Sequence, residues 1–200
     1  MAISIGKLIK SNAHTDYVCQ VYGPNEVKTP PTPADYAFGT FVRMELVGHG
    51  DLVALIYDTQ LHNPDFGNLG PRLSPTPDLE VFSPDYLAEK VTLVGIMAIG
   101  LLNGDEAPTH GVPPLSAQID TLVERMGDEA VKRFHSLEPN GVQVGYAPLI
   151  LSQDNPIAHH LLIQILNRLS ALFPDQETKL SVLRRELNWQ SHIRPTGGLA

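Results

Sequence analysis

"FGTFVRMELVGHGDLVALIYDTQL", residues 38–61, decides the reading of the fold. Two runs dominated by Val, Leu, Ile and Phe flank "GHG" at residues 48–50. Two glycines there permit the positive φ that a tight hairpin loop needs, so the stretch predicts an antiparallel pair of strands. Upstream, "SIGKLIKS" (4–11) and "TDYVCQVYG" (15–23) have strand length and composition. Between them lies "NAH", where Asn12 supplies turn chemistry. Downstream, "KVTLVGIMAIGLL" (90–102) is β-branched at several positions and interrupted by Gly95 and Gly100. Those glycines weaken a helix and suit a strand that bends around a barrel.

The connections are proline-rich: "TPPTPADY" at 29–36 and "HNPDFGNLGPRLSPTPD" at 62–78. Proline at that density removes ladder donors and places both segments on the surface. The expected class is therefore α+β: a small N-terminal β-barrel over residues 1–106, then an extension over 107–200 that ends in a helical hairpin. Within the extension, "AQIDTLV" (117–123) suits either a strand or a helix, and Asp128 fits the cap of a short helix "EAVKRFH". "VQVGYAPLIL" (142–151) reads as extended. "NPIAHHLLIQILNRLSALF" (155–173) opens on Asn155 as cap and Pro156 at the first turn. Its positions 157, 161, 165, 169 and 172 are apolar along one face, widened by Leu162, Ile163 and Leu166. In "DQETKLSVLRRELNWQSHI" (175–193), Leu180, Leu183 and Leu187 make the stripe, with Arg184 and Arg185 outward. The two helices should pair antiparallel.

Composition bounds the function. Hydrophobic residues are 42% and charged residues 18% of the 200, the balance of a folded globular chain rather than a disordered one. The net charge of −8 works against a phosphate-binding surface, and the basic residues Lys179, Arg184, Arg185 and Arg194 are a thin footprint for nucleic acid. The single cysteine, Cys19, forms no internal disulfide and sits in an apolar strand, which suits a reducing, cytoplasmic setting. The longest apolar run, residues 91–102, is too short to cross a bilayer as a helix, and the N-terminus lacks the apolar core of a signal peptide.

Motifs for bond-making chemistry are missing. "GPNEVKT" (23–29) has Lys28 and Thr29 where a phosphate-binding loop carries its Lys-Ser/Thr pair, but Val27 replaces the required glycine and Pro30, Pro31 and Pro33 follow. A helix cannot start there to aim its N-terminus at a phosphate, so the stretch is a surface loop. His159 and His160 are adjacent and point about 100° apart on a helix, which does not suit one shared metal ion. Asp51, Asp58, Asp65 and Asp78 offer carboxylates of the kind any acidic β-protein has, and His62 with Asp65 falls in a loop. Tyr36, Phe38 and Phe41 suit either a stacking platform for single strands or a barrel core. The sequence thus predicts no catalytic, cofactor-binding or metal-binding residue.

"IGKLIKSNAHTDYVCQVY", "YAFGTFVRMEL" and "DLVALIYDTQLHNPDF" together resemble the HAS-barrel, the small β-barrel shared by HerA-type ATPases and ATP synthase subunits. "HGVPPLSAQIDTLVERMGDEAVKRFH" is similar to the proline-rich exit that follows such barrels. The resemblance covers about half the chain and departs from the family where the ATPase domain would stand, since a pair of helices takes its place. It therefore implies no hydrolytic residue. It implies a docking collar: a barrel that mediates protein–protein contact or assembly, with itself or with an ATPase on a separate chain. The loop "LHNPDFGNLGPRLSP" offers Phe66, Leu69, Arg72 and Leu73 as partner-binding residues on a Gly/Pro-constrained frame, or folds back on its own barrel. Two other expectations stay open. One is an enzyme with a cleft between barrel and helices, around His62, His110 and His135. The other is a weak nucleic-acid-binding accessory protein.

Overall fold

The computed structural model of the protein describes residues 3–62, 91–104, 106–137, 139, 141–153 and 155–193, with side chains as far as Trp189. The quoted hairpin is there. Strands β3 (Phe41–Leu46) and β4 (Gly50–His62) pair antiparallel from Phe41↔Leu55 to Leu46↔Gly50. Gly48 and Gly50 take φ of +77° and +85° in the loop, the left-handed values that a side chain disfavours.

The neighbours follow as expected. Strand β1 (Ile3–Ser11) pairs with β2 (Asp16–Val21), β2 with β5 (Val91–Leu102), and β5 with β4 along its whole length. The ring is completed by β7 (Leu122–Arg125), which lies antiparallel to both β1 and β3. The result is a closed six-stranded antiparallel barrel in the order β1-β2-β5-β4-β3-β7. A barrel drawn over residues 1–106 is therefore one strand short. The ambiguous stretch at 117–123 ends in the strand that closes it, so the edge is removed by chain from beyond the expected boundary. A short β6 (Thr109–His110) extends the free edge of β5 past the end of β2.

The β4–β5 ladder shifts register at Val53/Ala54 and at Ile56/Asp58. These shifts fall opposite Gly100 and Gly95, the two glycines that the sequence marks as bends. Gly100 is also a point of close approach: a Cβ there would stand 2.0 Å from the carbonyl oxygen of Thr109 on β6.

Alternation along these strands makes two cores. Leu52, Ala54 and Ile56 of β4 point into the barrel, where they meet Ile5, Leu8, Cys19, Met44, Val94, Ile96 and Val123. Val53 and Leu55 point outward with Phe41, Met97 and Ile99. Both faces of β4 over residues 52–56 and of β5 over 94–99 are thus buried, which is why those stretches are continuous apolar runs.

The outward set is covered by a helical layer. Helix α1 (Asp128–His135) has Gly127 as cap, one residue before the Asp128 that the sequence suggests, and buries Val131, Phe134 and His135. A two-stranded ribbon, β8 (Ser136–Leu137) with β9 (Gly141–Val142), leads to α2 (Ala147–Leu151). Here the extended reading of residues 142–151 fails beyond β9. Pro148 sits in the first turn of α2, where its fixed φ and missing N–H cost nothing, and a five-residue apolar run carries no periodicity that separates strand from helix.

Helix α3 (Ala158–Leu172) buries Leu161, Leu162, Ile165, Leu166 and Leu169 of the predicted face, but starts later than Asn155 and Pro156 suggest: Ile157 takes the cap position and is exposed. Asn155 accepts from the Ile157 N–H at 3.0 Å just ahead of it. Residues 173–176 turn the chain into α4 (Glu177–Ile193). Leu180 joins the outer core, and Arg184 reaches back to Asn167 at 3.0 Å, so α3 and α4 form the expected antiparallel hairpin. Each fully buried Leu or Ile of this layer stabilises it by about 1.5–3 kcal/mol relative to exposure. Among the described residues no helix is long and apolar enough to cross a membrane.

Candidate functional site

The helical hairpin leaves an apolar groove of about 210 Å³ between α2, α3 and α4. Its walls are Val144, Ala147 and Leu151 on one side, Leu162 and Leu166 at the base, and Leu183 and Leu187 on the other, with Glu186 at the rim. The arrangement follows from the sequence. The α4 stripe Leu180–Leu183–Leu187 turns toward α3, but only Leu180 is fully covered, and Leu183 stays 42% exposed. Around the helix from that stripe, Val182 and Trp189 stand seven residues apart and are 60% and 70% exposed. Two turns of α4 therefore present apolar side chains on two faces. Trp189 is the chain's single tryptophan. A reading that follows one stripe misses it; the signal was the i, i+7 spacing of Val182 and Trp189 outside that stripe.

A second constellation lies at the seam between barrel and helices. His110 of β6 donates from Nε2 to the Phe134 carbonyl at 2.8 Å and accepts the Gly145 N–H at Nδ1, 3.1 Å away. His135 donates from Nδ1 to the Val131 carbonyl at 2.7 Å, and its Nε2 accepts from the Tyr146 hydroxyl at 2.8 Å. A carbonyl only accepts, so Nε2 of His110 and Nδ1 of His135 carry hydrogens. The Gly145 N–H then fixes His110 as a neutral tautomer, and burial keeps His135 neutral, so that its Nε2 accepts from the Tyr146 hydroxyl. The two ring centroids are 5.6 Å apart, with Phe134 stacked on His110 and Phe41 edge-on to His135. Arg168 of α3 lies over the Phe41 ring, 5.6 Å from its centroid, and pairs with Asp128 at 3.3 Å.

Burial pushes the His135 pKa from 6.5 down to about 3. The nearby His110 and Arg168 add to that push, against the opposing pull of the Val131 carbonyl. Burial also lowers His110 and raises Tyr146 far above the ordinary phenol value. Tyr146 and His135 are fully buried, and none of the three lines the apolar groove. Perturbed groups often mark reactive centres, but here every ring nitrogen is spent on a structural bond.

Of the histidines grouped in the sequence, the structure brings together His110 and His135. His62 is exposed at the far end of β4, paired with Val91. Phe66, Leu69, Arg72 and Leu73 lie outside the described residues, as do Asp65, Asp78 and Arg194. Tyr36, Phe38 and Phe41 do not make one platform: Phe41 belongs to the outer core, Tyr36 packs on the inner one, and Phe38 is partly exposed. The GPNEVKT stretch is a turn between β2 and β3, where the Gly23 N–H donates to Glu26 at 2.5 Å, and no helix follows it. Arg184 is engaged by Asn167 and Glu177.

Arg43 of β3 bridges Asp51 at 3.1 Å and Glu124 at 2.8 Å, which pins β7 to the β3–β4 hairpin. These residues, with Glu45 and Arg133, line a polar depression of about 430 Å³. Its charges are largely spent on one another. Among the described residues no group of three His, Cys, Asp or Glu side chains is placed to hold a metal ion. Cys19 is fully buried in β2, and burial pushes its thiol up to about 12.

Fold and site together define a closed antiparallel barrel sheathed on one side by helices, with an open apolar groove on the outermost hairpin. The chain belongs to the family described as Domain of unknown function (DUF8166), whose model matches residues 1–197. A search of curated proteins finds no match.

Proposed function

We propose that the protein is a non-catalytic contact module: a rigid barrel whose α2–α4 surface docks an amphipathic helix of another protein. The observation that carries this reading is the open apolar groove of Leu162, Leu166, Leu183 and Leu187; Val182 and Trp189 add exposed apolar surface on another face of the same helix. A groove between helices, apolar at its base and charged at its rim, fits the side chains that a helix presents at i, i+3, i+4 and i+7. Trp is among the residue types most enriched as interface anchors, so a tryptophan left 70% exposed on the helix that walls the groove supports contact as its role. The resemblance of the barrel to HAS-barrel collars makes an ATPase carried on a separate chain the first partner to try. A cytoplasmic site of action belongs to the same reading and is supported by the lone, buried Cys19.

The test is affinity purification from the native host with the wild-type chain and with the Leu183→Asp/Trp189→Asp double variant, followed by reconstitution with the purified partner. Both positions are exposed, so the fold should persist. A partner retained by the wild type, lost by the variant, and bound again when purified supports the reading. A wild-type protein that stays monomeric, with the same co-eluting proteins as the variant, overturns it.

A further inference from the structure

We propose that the His110–His135–Tyr146 cluster is an acid-sensitive latch: protonation of the histidines releases the helical layer from the barrel wall while the barrel stays closed. The geometry assigns each part of the latch. His110 sits on β6, which is hydrogen-bonded to barrel strand β5. Its two ring nitrogens hold the end of α1, through Phe134, and the turn before α2, through Gly145. A proton added to Nδ1 would face the Gly145 N–H donor to donor, and a backbone N–H cannot rotate away as a hydroxyl can. A proton added to Nε2 of His135 would require the Tyr146 hydroxyl to turn its own hydrogen elsewhere, within a site that is fully buried. His110 is half-buried and open to protons; His135 is sealed beneath it.

The surroundings offer no compensation. Phe41 of β3, Phe134 of α1 and Tyr146 ahead of α2 face the pair as neutral rings. The charged group facing it is Arg168 of α3, positive and already paired with Asp128. Among the described residues neither histidine has a carboxylate partner. The inner core is different: its ionisable members are Tyr17 and Cys19, both pushed upward by burial, and neither gains a proton in acid. Acid therefore acts on one of the two cores.

The direction follows from the depressed histidine. In the released state His135 titrates near 6.5, in the docked state near 3. Between those values the released state binds more protons, so docking is strongest above about pH 7 and weakens as the pH falls through 6.5 toward 3. At pH 4.5 the docked-to-released ratio falls by about 100-fold from His135 alone, and His110 adds to it.

Hydrogen exchange followed by mass spectrometry, corrected for intrinsic rates, reads this by region. From pH 7.5 to 4.5, protection in α1, α2 and α3 should fall by about 100-fold or more while β1, β2 and β5 keep theirs. The double variant His110→Asn/His135→Gln, which keeps acceptors facing Gly145 and Tyr146, should lose that pH dependence. The surface control His49→Gln/His160→Gln should retain it. Loss of protection in barrel and helices together, helices unchanged at pH 4.5, or a flattened profile in the surface control overturns the proposal. Should the double variant fail to fold, the wild-type regional profile and the surface control still decide.

Discussion

Replacing Tyr146 by Phe removes one oxygen and nothing else, which makes it a clean probe of the seam. In the wild type that hydroxyl donates to His135 Nε2 at 2.8 Å, with both residues fully buried. The variant leaves Nε2 as a buried acceptor without a donor, because the other ring nitrogen is committed to Val131. Such a vacancy costs about 1–3 kcal/mol, and no cavity of consequence opens to add to it. For a chain of this size each kcal/mol lowers Tm by roughly 2–4 °C, so a loss of about 2 kcal/mol corresponds to roughly 4–8 °C. Urea unfolding and calorimetry at pH 7.5 measure both. The double variant His135→Leu/Tyr146→Phe should be less destabilised than the sum of its parts, since removing both partners leaves no stranded acceptor. A Tyr146→Phe loss below about 0.5 kcal/mol refutes the hydrogen-bonded seam.

Two further outcomes follow from the barrel. Gly100→Ala puts a methyl 2.0 Å from the Thr109 carbonyl and should destabilise by more than about 2 kcal/mol in urea unfolding, whereas Gly104→Ala, whose Cβ meets nothing within 4 Å, should cost little beyond its left-handed backbone. Cys19, with its thiol near 12 and no exposed surface, should resist maleimide labelling at pH 8 and react only at the rate of global unfolding; prompt labelling in native buffer would contradict an intact inner core.

The legibility of this fold was uneven for physical reasons. Strands β1 to β5 could be read because apolar runs end at Gly, Pro and Asn residues that set turns, and "GHG" fixed the central hairpin. The closing strand β7 could not. "LVER" is four residues long, half charged, and its partners β1 and β3 lie about 80–120 residues upstream, so its pairing is a long-range decision that no local pattern records. Its charge is itself structural, since Glu124 takes Arg43 and Arg125 takes Asp35 at 2.9 Å. Helix α2 escaped notice because five apolar residues carry no period. The hairpin helices were plain from their apolar spacing, and so was the stripe of Leu180, Leu183 and Leu187. Their open side was not, because exposure depends on how far α4 leans on α3 rather than on which residues it carries. His110 and His135 were visible as residues that could converge, but their Tyr146 partner depended on the turn before α2.

The docking role of the α2–α4 surface is tested most directly by site-specific photo-crosslinking in the native host. A benzophenone side chain would be placed in turn at Val182, at Trp189, and at Val47, which is exposed on the β3–β4 loop. The account predicts one and the same protein crosslinked from positions 182 and 189 and nothing from position 47. Crosslinks from position 47 alone, or none from the α4 positions in cells that contain the protein at normal levels, would contradict it.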